Sequence, residues 1–332
     1  MGEAELEAWR GRIEAADALR FQDPGRSLSL SLQVCEAVAA LDGPSGGPWG
    51  RLQAEAWGTL GSAYRAVGDL RRAESCLQIA LAFLDGTSVE PQVWARYAQR
   101  ASYLRCSQRR FDEALALCDD VVRIYDDQGM DQDAASALVD RALIFARGGR
   151  PEVAVGILET CLERLDAAQR PRAYLAAVHN MAYYRLQAAS SPEQEREAAA
   201  WLDRADALYE ESSAPLARWQ LEAMRGVTAI RFGRRAEGER ILWHAYHGLG
   251  ELHARSEQML ALFHLADSAA ARRDDDELLR LAGLIFPLLR ELRLPQVARR
   301  AVLRFLSAAR ARRVTSEVIH QATDELQLVV GG

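Results

Sequence analysis

The sequence predicts an all-α fold, a solenoid of about eight antiparallel helical hairpins. Three observations predict it. An anchor position recurs at a period near 40: Ala73 to Ala114 is 41 residues, Ala114 to Ala154 is 40, Ala154 to Gly238 is 84 (two steps of 42 across one degenerate repeat), and Gly238 to Leu278 is 40. Apolar residues follow the three-to-four spacing of helices, and no strand-like alternation carries weight. The breaks between these stretches are short and hold Gly, Pro and Asp, as helical hairpin turns do. A unit of this size buries its face only against its neighbours, so one continuous array over 1–332 replaces the two domains suggested by length alone.

The elements follow in order. Glu3 to Arg20 places Leu6, Trp9, Ile13, Ala16 and then Leu19 or Arg20 on one helical face. Asp23-Pro24 is a cap with proline at the first helical position, and Leu28 to Leu41 is the second helix. Residues 1–42 thus read as an N-terminal capping hairpin. Residues 51–293 are the core repeats. In the first, Trp57, Leu60, Tyr64 and Leu77 fill the space between two helices, and Gly61 and Ala73 are small where those helices cross. Gly68-Asp69 makes the turn, and Asp69 caps the second helix.

The pattern recurs as Ala101-Ser102 before Phe111-x-x-Ala114-x-x-x-Cys118-x-x-Val121. It returns as Arg141-Ala142-x-x-Phe145 before Ala154-x-x-x-Leu158-x-x-Cys161, and as Gly226 and Gly233 before Gly238-x-x-x-Leu242-x-x-Ala245. Leu265-Ala266 leads into Leu278-x-x-x-Ala282-x-x-Ile285, where Asp274 caps and Glu277 completes a capping box. Gln296 to Ala311 and Thr315 to Val330 form the last hairpin, a C-terminal cap over 295–332. Loops are expected at Leu41–Gly50, Gly86–Pro91, Gln128–Gln132, Ser190–Pro192, Ser212–Pro215 and Leu292–Pro295.

Trp57-x-x-Leu60-Gly61-x-x-Tyr64, Gly68-Asp69-Leu70 and Ala73-x-x-x-Leu77-x-x-Ala80-Leu81 together resemble the tetratricopeptide repeat. The period exceeds that of the standard repeat, at roughly 34 residues. It is similar to the long-repeat arrays of kinesin light chains, Pins-type polarity adaptors and bacterial MalT-like and Rap-like sensors. The resemblance implies a right-handed superhelix whose first helices line a concave groove that takes a protein or peptide. Its groove offsets imply Arg65, then Arg96, Gln99 and Tyr103, then Arg147. Further on they imply His179, Tyr183 and Gln187, then Gln220 and Arg231, then Phe263 and Asp267. The family's carboxylate clamp needs lysine and asparagine, and its backbone-gripping ladder needs asparagines. This chain has no lysine and one asparagine, Asn180, so neither device is expected. Arg and Tyr remain as anchors, which combine contact area with directed polar groups.

Composition narrows the function classes. All 41 basic residues counted as Lys+Arg are arginine, which removes Schiff-base and P-loop lysine chemistry. The net charge is -6 and the pI about 5.7, which argues against a globally basic nucleic-acid binder. Five cysteines without CxxC spacing read as buried small hydrophobes in a reducing cytoplasm. Met1 to Arg20 lacks the apolar stretch of a signal peptide, and no run is long enough to span a membrane, so a cytoplasmic protein is expected. No GxSxG, HExxH, Walker A or dinucleotide fingerprint occurs, so no enzyme and no cofactor are expected. His244 and His247 share a helix face, but zinc needs further ligands, and no metal is expected. Asp126 to Asp133 lacks the EF-hand order and reads as a solvated loop.

One basic run stands out: Arg293, Arg299, Arg300, Arg304, Arg310, Arg312 and Arg313, with no acidic residue between them. It reads as a solvated face or as a docking patch for an acidic segment. The leading expectation is a non-enzymatic adaptor or regulatory scaffold that binds a protein or peptide through its groove, with an acidic segment among the candidate partners. Two alternatives stand beside it: a peptide-sensing module acting on a transcriptional or signalling effector, and a nucleic-acid-associated scaffold using the arginine run.

Overall fold

The computed structural model describes residues 3–21, 24–40, 47–84, 90–212, 215–292 and 294–327. It contains sixteen α-helices and no strand among the described residues. The chain divides into two compact units, Met1–Ile144 and Phe145–Val330, with the boundary inside α7. The first unit holds α1 (Glu3–Ala18), α2 (Pro24–Ala39), α3 (Gly47–Ala66), α4 (Leu70–Leu84), α5 (Pro91–Ser107), α6 (Phe111–Asp127) and most of α7 (Asp131–Arg147). The second holds α8 (Pro151–Arg164), α9 (Pro171–Ala188), α10 (Pro192–Ser212), α11 (Pro215–Arg231), α12 (Arg235–Glu251), α13 (Arg255–Ala271), α14 (Asp275–Glu291), α15 (Gln296–Arg310) and α16 (Ser316–Gln327). Proline opens six of the sixteen, at the first helical position, where its missing N–H costs nothing.

The turns share one mechanism. Gly68, Gly129, Gly149 and Gly233 adopt φ of 80, 66, 80 and 84°, and Arg109, His253, Arg273 and Arg312 take the same place with φ of 62, 54, 58 and 52°. Each lets the next residue's N–H reach a carbonyl five positions back, as in Asp69 to Tyr64, Arg110 to Arg105, Ala254 to Leu249 and Asp274 to Ala269. This is the Schellman closure of a helix end. Asp69 Oδ1 accepts from the N–H of Arg72 at 3.0 Å, the cap expected of it. Asp274 likewise accepts from the N–H of Glu277 at 3.0 Å, but the Glu277 carboxylate lies on Arg280 instead of completing the box.

Several loop boundaries shift. Gly47–Gly50 already belongs to α3, and residues 41–46 and 85–89 lie outside the described set. Of the acidic stretch Asp126 to Asp133, only Gln128–Met130 is a turn, because its two ends cap and extend α6 and α7. The second helix starts at Pro24 rather than Leu28, and the last ends at Gln327. Asp23 lies outside the described residues.

The repeat anchors pack as expected. Ala73, Ala114 and Ala154 are fully buried, and Ala198 is the anchor of the degenerate repeat. A Cβ on Gly61 would meet the carbonyl of Ala73 at 3.3 Å and Leu77 at 3.3 Å, so these helices cross as closely as small residues permit. The α11–α12 crossing is tighter, with a Cβ on Gly238 placed 2.4 Å from the carbonyl of Gly226. All five cysteines are free and buried. Desolvation pushes the thiols of Cys76 and Cys35 up, to about 11 and about 12.

The C-terminal hairpin does not continue the stacking. α13 packs on α14, α14 on α15, α15 on α16, and α16 back on α13, which closes a four-helix bundle. Phe263 and Phe305 meet at its centre with ring centroids 5.0 Å apart, surrounded by Ile285, Val302 and Ile319.

Candidate partner-binding surface

Within the first unit, the first helices of successive hairpins carry a polar cluster instead of an apolar seam. Gln99 donates to Asp140 at 2.6 Å, and the Tyr103 hydroxyl donates to the other oxygen of the same carboxylate. Burial pushes the Asp140 carboxyl up although both donors favour its charged form. The Tyr103 phenol is pushed up by burial and by that carboxylate. The buried Arg65 guanidinium stands 5.5 Å from the Tyr103 ring. One turn away, Arg96 pairs with Glu55 at 3.0 Å and Arg100 donates to Thr59 Oγ1 at 3.1 Å. Gly58 makes room for Arg100, since a Cβ there would stand 3.2 Å from its guanidinium. Desolvation lowers the Arg100 pKa, and the carboxylates of Asp17 and Glu55 oppose that.

Gln99–Asp140, Arg100–Thr59 and Arg96–Glu55 each join residues one repeat apart. These bonds tie neighbouring hairpins through their first helices. They also occupy Arg96, Gln99 and Tyr103, which the sequence offered as groove residues. Asp140 and Arg100 were missed because they fall between the family's contact offsets. Arg100 is foreshadowed only by Gly58 one repeat earlier.

In the second unit, α9 presents His179, Tyr183 and Gln187 along one stripe at four-residue spacing. His179 Nδ1 shares a 2.6 Å hydrogen bond with the Tyr209 hydroxyl, and its ring stacks near Tyr183 with centroids 6.2 Å apart. Desolvation takes the His179 pKa down to about 4 and pushes the Tyr183 phenol up to about 12, with the Arg147 charge pulling the latter back. The Gln187 amide oxygen is buried without a hydrogen-bond donor. Arg231 donates to the main-chain carbonyls of Leu186 and Gln187, the latter at 2.9 Å, and so satisfies the end of α9 where carbonyls are otherwise orphaned. Gln220 reaches Glu257 at 3.5 Å.

Of the two expected groove residues on α13, one is buried and one stays half-exposed. Phe263 is fully buried in the bundle core, and Asp267 is hydrogen-bonded by His320 of α16 at 3.1 Å. In the arginine run, Arg299, Arg300, Arg310 and Arg313 are exposed, Arg304 donates to Gln321 at 2.8 Å, and Arg312 pairs with Asp276 at 2.8 Å. Arg293 lies outside the described residues. His244 packs edge-on to Trp219 and His247 lies against Tyr246. No group of three or more metal-ligating side chains occurs among the described residues. No helix among them is long and apolar enough to cross a membrane.

No protein-family model matches the chain, and no curated protein matches it. Solved structures do. A Rap protein complexed with competence and sporulation factor superposes with a TM-score of 0.69 at 10% identity, covering 97% of this chain and 88% of that one. The chain has the tetratricopeptide-repeat fold. A second tetratricopeptide-like neighbour is the Rap conjugation gene regulator of plasmid pLS20 in complex with the Phr* peptide, with a TM-score of 0.58 at 13% identity over 96% of this chain and 76% of that one. A third is aspartyl phosphate phosphatase F from Bacillus subtilis, with a TM-score of 0.58 at 11% identity over 100% and 96%. In tetratricopeptide terms α9, α11 and α13 are the first helices of their hairpins.

Proposed function

We propose that this chain is a non-enzymatic scaffold that binds a protein or peptide on the inner face of its first helices. One continuous array, 1–332, capped at 1–42 and 295–332, is part of this reading. The observation that carries it is the α9 stripe. His179 and Tyr183 offer a desolvated ring platform, and the Gln187 amide oxygen beside it is buried without a donor. A buried acceptor left unpaired costs about 1–3 kcal/mol, and the backbone N–H of an extended peptide satisfies it. Two of the structural neighbours were solved with a peptide or a factor bound, which supports the same use here. One neighbour is described as a phosphatase, but a likeness at 11% identity carries the fold and not the activity.

The test starts with peptides selected from a random displayed library on the full chain. Tyr183→Ala and Gln187→Ala are each expected to weaken the selected peptides about 10-fold, the loss typical of an anchor residue. Unchanged affinity in both variants removes the inner face as the site. A sensing role is favoured by the neighbour described as a conjugation gene regulator in complex with a peptide. That reading expects the radius of gyration, measured by small-angle scattering, to change when a selected peptide is added. An identical scattering curve would reduce the protein to a passive adaptor.

A further inference from the structure

A second surface lies on the C-terminal bundle, and it owes nothing to the inner face. Between Leu278 and Arg313 the sequence carries nine arginines and one acidic residue, Glu291. Glu291 is taken by the Arg255 Nε at 2.9 Å. Of the chain's exposed large apolar side chains, Leu279, Phe286 and Leu303 are 42, 43 and 45% exposed.

Helical geometry places them together. On α14, Arg280 lies over the Trp243 ring of α12 at 4.7 Å, which fixes that side of the helix toward α12. At 3.6 residues per turn, Leu279 and Phe286 then fall at the other edge of the buried stripe of Leu281, Ile285 and Leu289, on the flank toward α15, with Arg290 just outside them. On α15, Arg304 bonds Gln321 of α16, so Arg299, Leu303 and Arg310 fall on the side toward α14. The Arg312–Asp276 pair at 2.8 Å sets the antiparallel register, which brings Phe286 level with Leu303. Gly283 has no atom within 4 Å of its Cβ position, so nothing fills the space between Leu279 and Phe286. The result is an apolar seam between α14 and α15 with Arg290, Arg299 and Arg310 along its flanks. None of the three has a carboxylate partner among the described residues.

We propose that this seam docks an acidic amphipathic helix of a partner protein. Leu279 and Phe286 are two helical turns apart, about 10 Å, which matches apolar residues at i, i+3 or i+4, and i+7 of an incoming helix. Asp or Glu on both flanks of that helix meets the arginines in bidentate geometry. Charge selects the partner, since Leu278 to Arg313 carries nine arginines against one acid while the whole chain stands at -6.

The probe is a synthetic amphipathic helix of about five turns with leucines at those spacings and glutamates on the flanks, titrated onto the full chain by fluorescence anisotropy. A sequence-matched version with lysine flanks and a single-stranded oligonucleotide are the controls. The glutamate helix is expected to bind at least about 10-fold tighter than the lysine helix, with affinity falling as salt rises. Phe286→Ser with Leu303→Ser, and separately Arg299→Glu with Arg310→Glu, are each expected to cost about 10-fold. These residues are exposed, so helicity by circular dichroism stays unchanged. Tyr183→Ala is expected to leave this binding intact, which separates it from the inner-face site. Equal binding of the two helices overturns the proposal. Retention of the oligonucleotide alone also overturns it, as does self-association in sedimentation that Phe286→Ser abolishes.

Discussion

At the scale of single residues, two histidines carry the clearest consequence. His179 and His264 are both desolvated, and burial takes each pKa down from 6.5 to about 4. A base whose folded pKa lies below its unfolded value resists protonation only while folded. The stability this represents is present above the unfolded pKa and is lost as pH falls through the folded one. Stability is therefore expected to decline between pH 6.5 and 4. At pH 5 the loss is about 1–2 kcal/mol per histidine, allowing for the solvent that each ring still touches. Urea midpoints at pH 7.5 and pH 5 check this. His179→Gln keeps an acceptor for the Tyr209 hydroxyl without titrating, and should narrow the gap between the two midpoints. A gap of the same width in the variant would remove His179 as a cause. Arg100 makes a related point about volume. Gly58→Ala places a methyl 3.2 Å from its guanidinium, and should loosen the inter-repeat bond to Thr59.

Helices and turns show what the sequence made legible and what it hid. Gly61, Gly226 and Gly238 announced close crossings because a missing side chain is visible in a sequence, and the structure puts each at a contact too tight for a Cβ or nearly so, with the small Ala73 opposite Gly61. Gly238→Ala is expected to destabilise by about 1–3 kcal/mol or more, since the new methyl meets main chain that cannot yield. A thermal melt at neutral pH reads it. The left-handed turn residues were legible only where they are glycine. Arg109, His253, Arg273 and Arg312 do the same work with a side chain, against steric cost, so nothing in their identity marks them. Arg273→Gly and His253→Gly are each expected to raise stability by about 0.5–1 kcal/mol, because the relief of left-handed strain exceeds the entropy glycine adds to the unfolded chain. Denaturant midpoints that fall instead would show that those side chains hold the turn by contacts of their own. The polar residues of α3, α5 and α7 were legible as types but not as partners. The repeat offsets offered Arg96, Gln99 and Tyr103 to a partner, yet Glu55 and Asp140 meet them across one repeat. Pairing over forty residues depends on stacking register, which offsets alone do not encode.

At the scale of the molecule, the departure from a simple stack is the closure at the C-terminus. The period predicted a last hairpin but not its placement, because the same apolar face satisfies either continued stacking or a return onto α13. The return is selected by what α13 needs covered. Leu262, Phe263 and Ala266 are fully buried on it, and α14 adds Leu281 and Ile285. Without α15 and α16 these side chains lose Val302, Phe305, Ile319 and Leu326, their partners in one core. Each large apolar side chain returned to water costs about 1.5–3 kcal/mol, so uncovering several of them approaches the whole 5–15 kcal/mol stability of a domain. A chain ending after Leu292 is therefore expected to lose cooperative unfolding in its C-terminal region and to bind a hydrophobic dye. Hydrogen exchange locates the damage: amides of α13 and α14 should lose protection, while those of α3 to α6 keep it. Retained protection in α13 would mean that the bundle is an appendage and that stacking on α12 alone holds that helix.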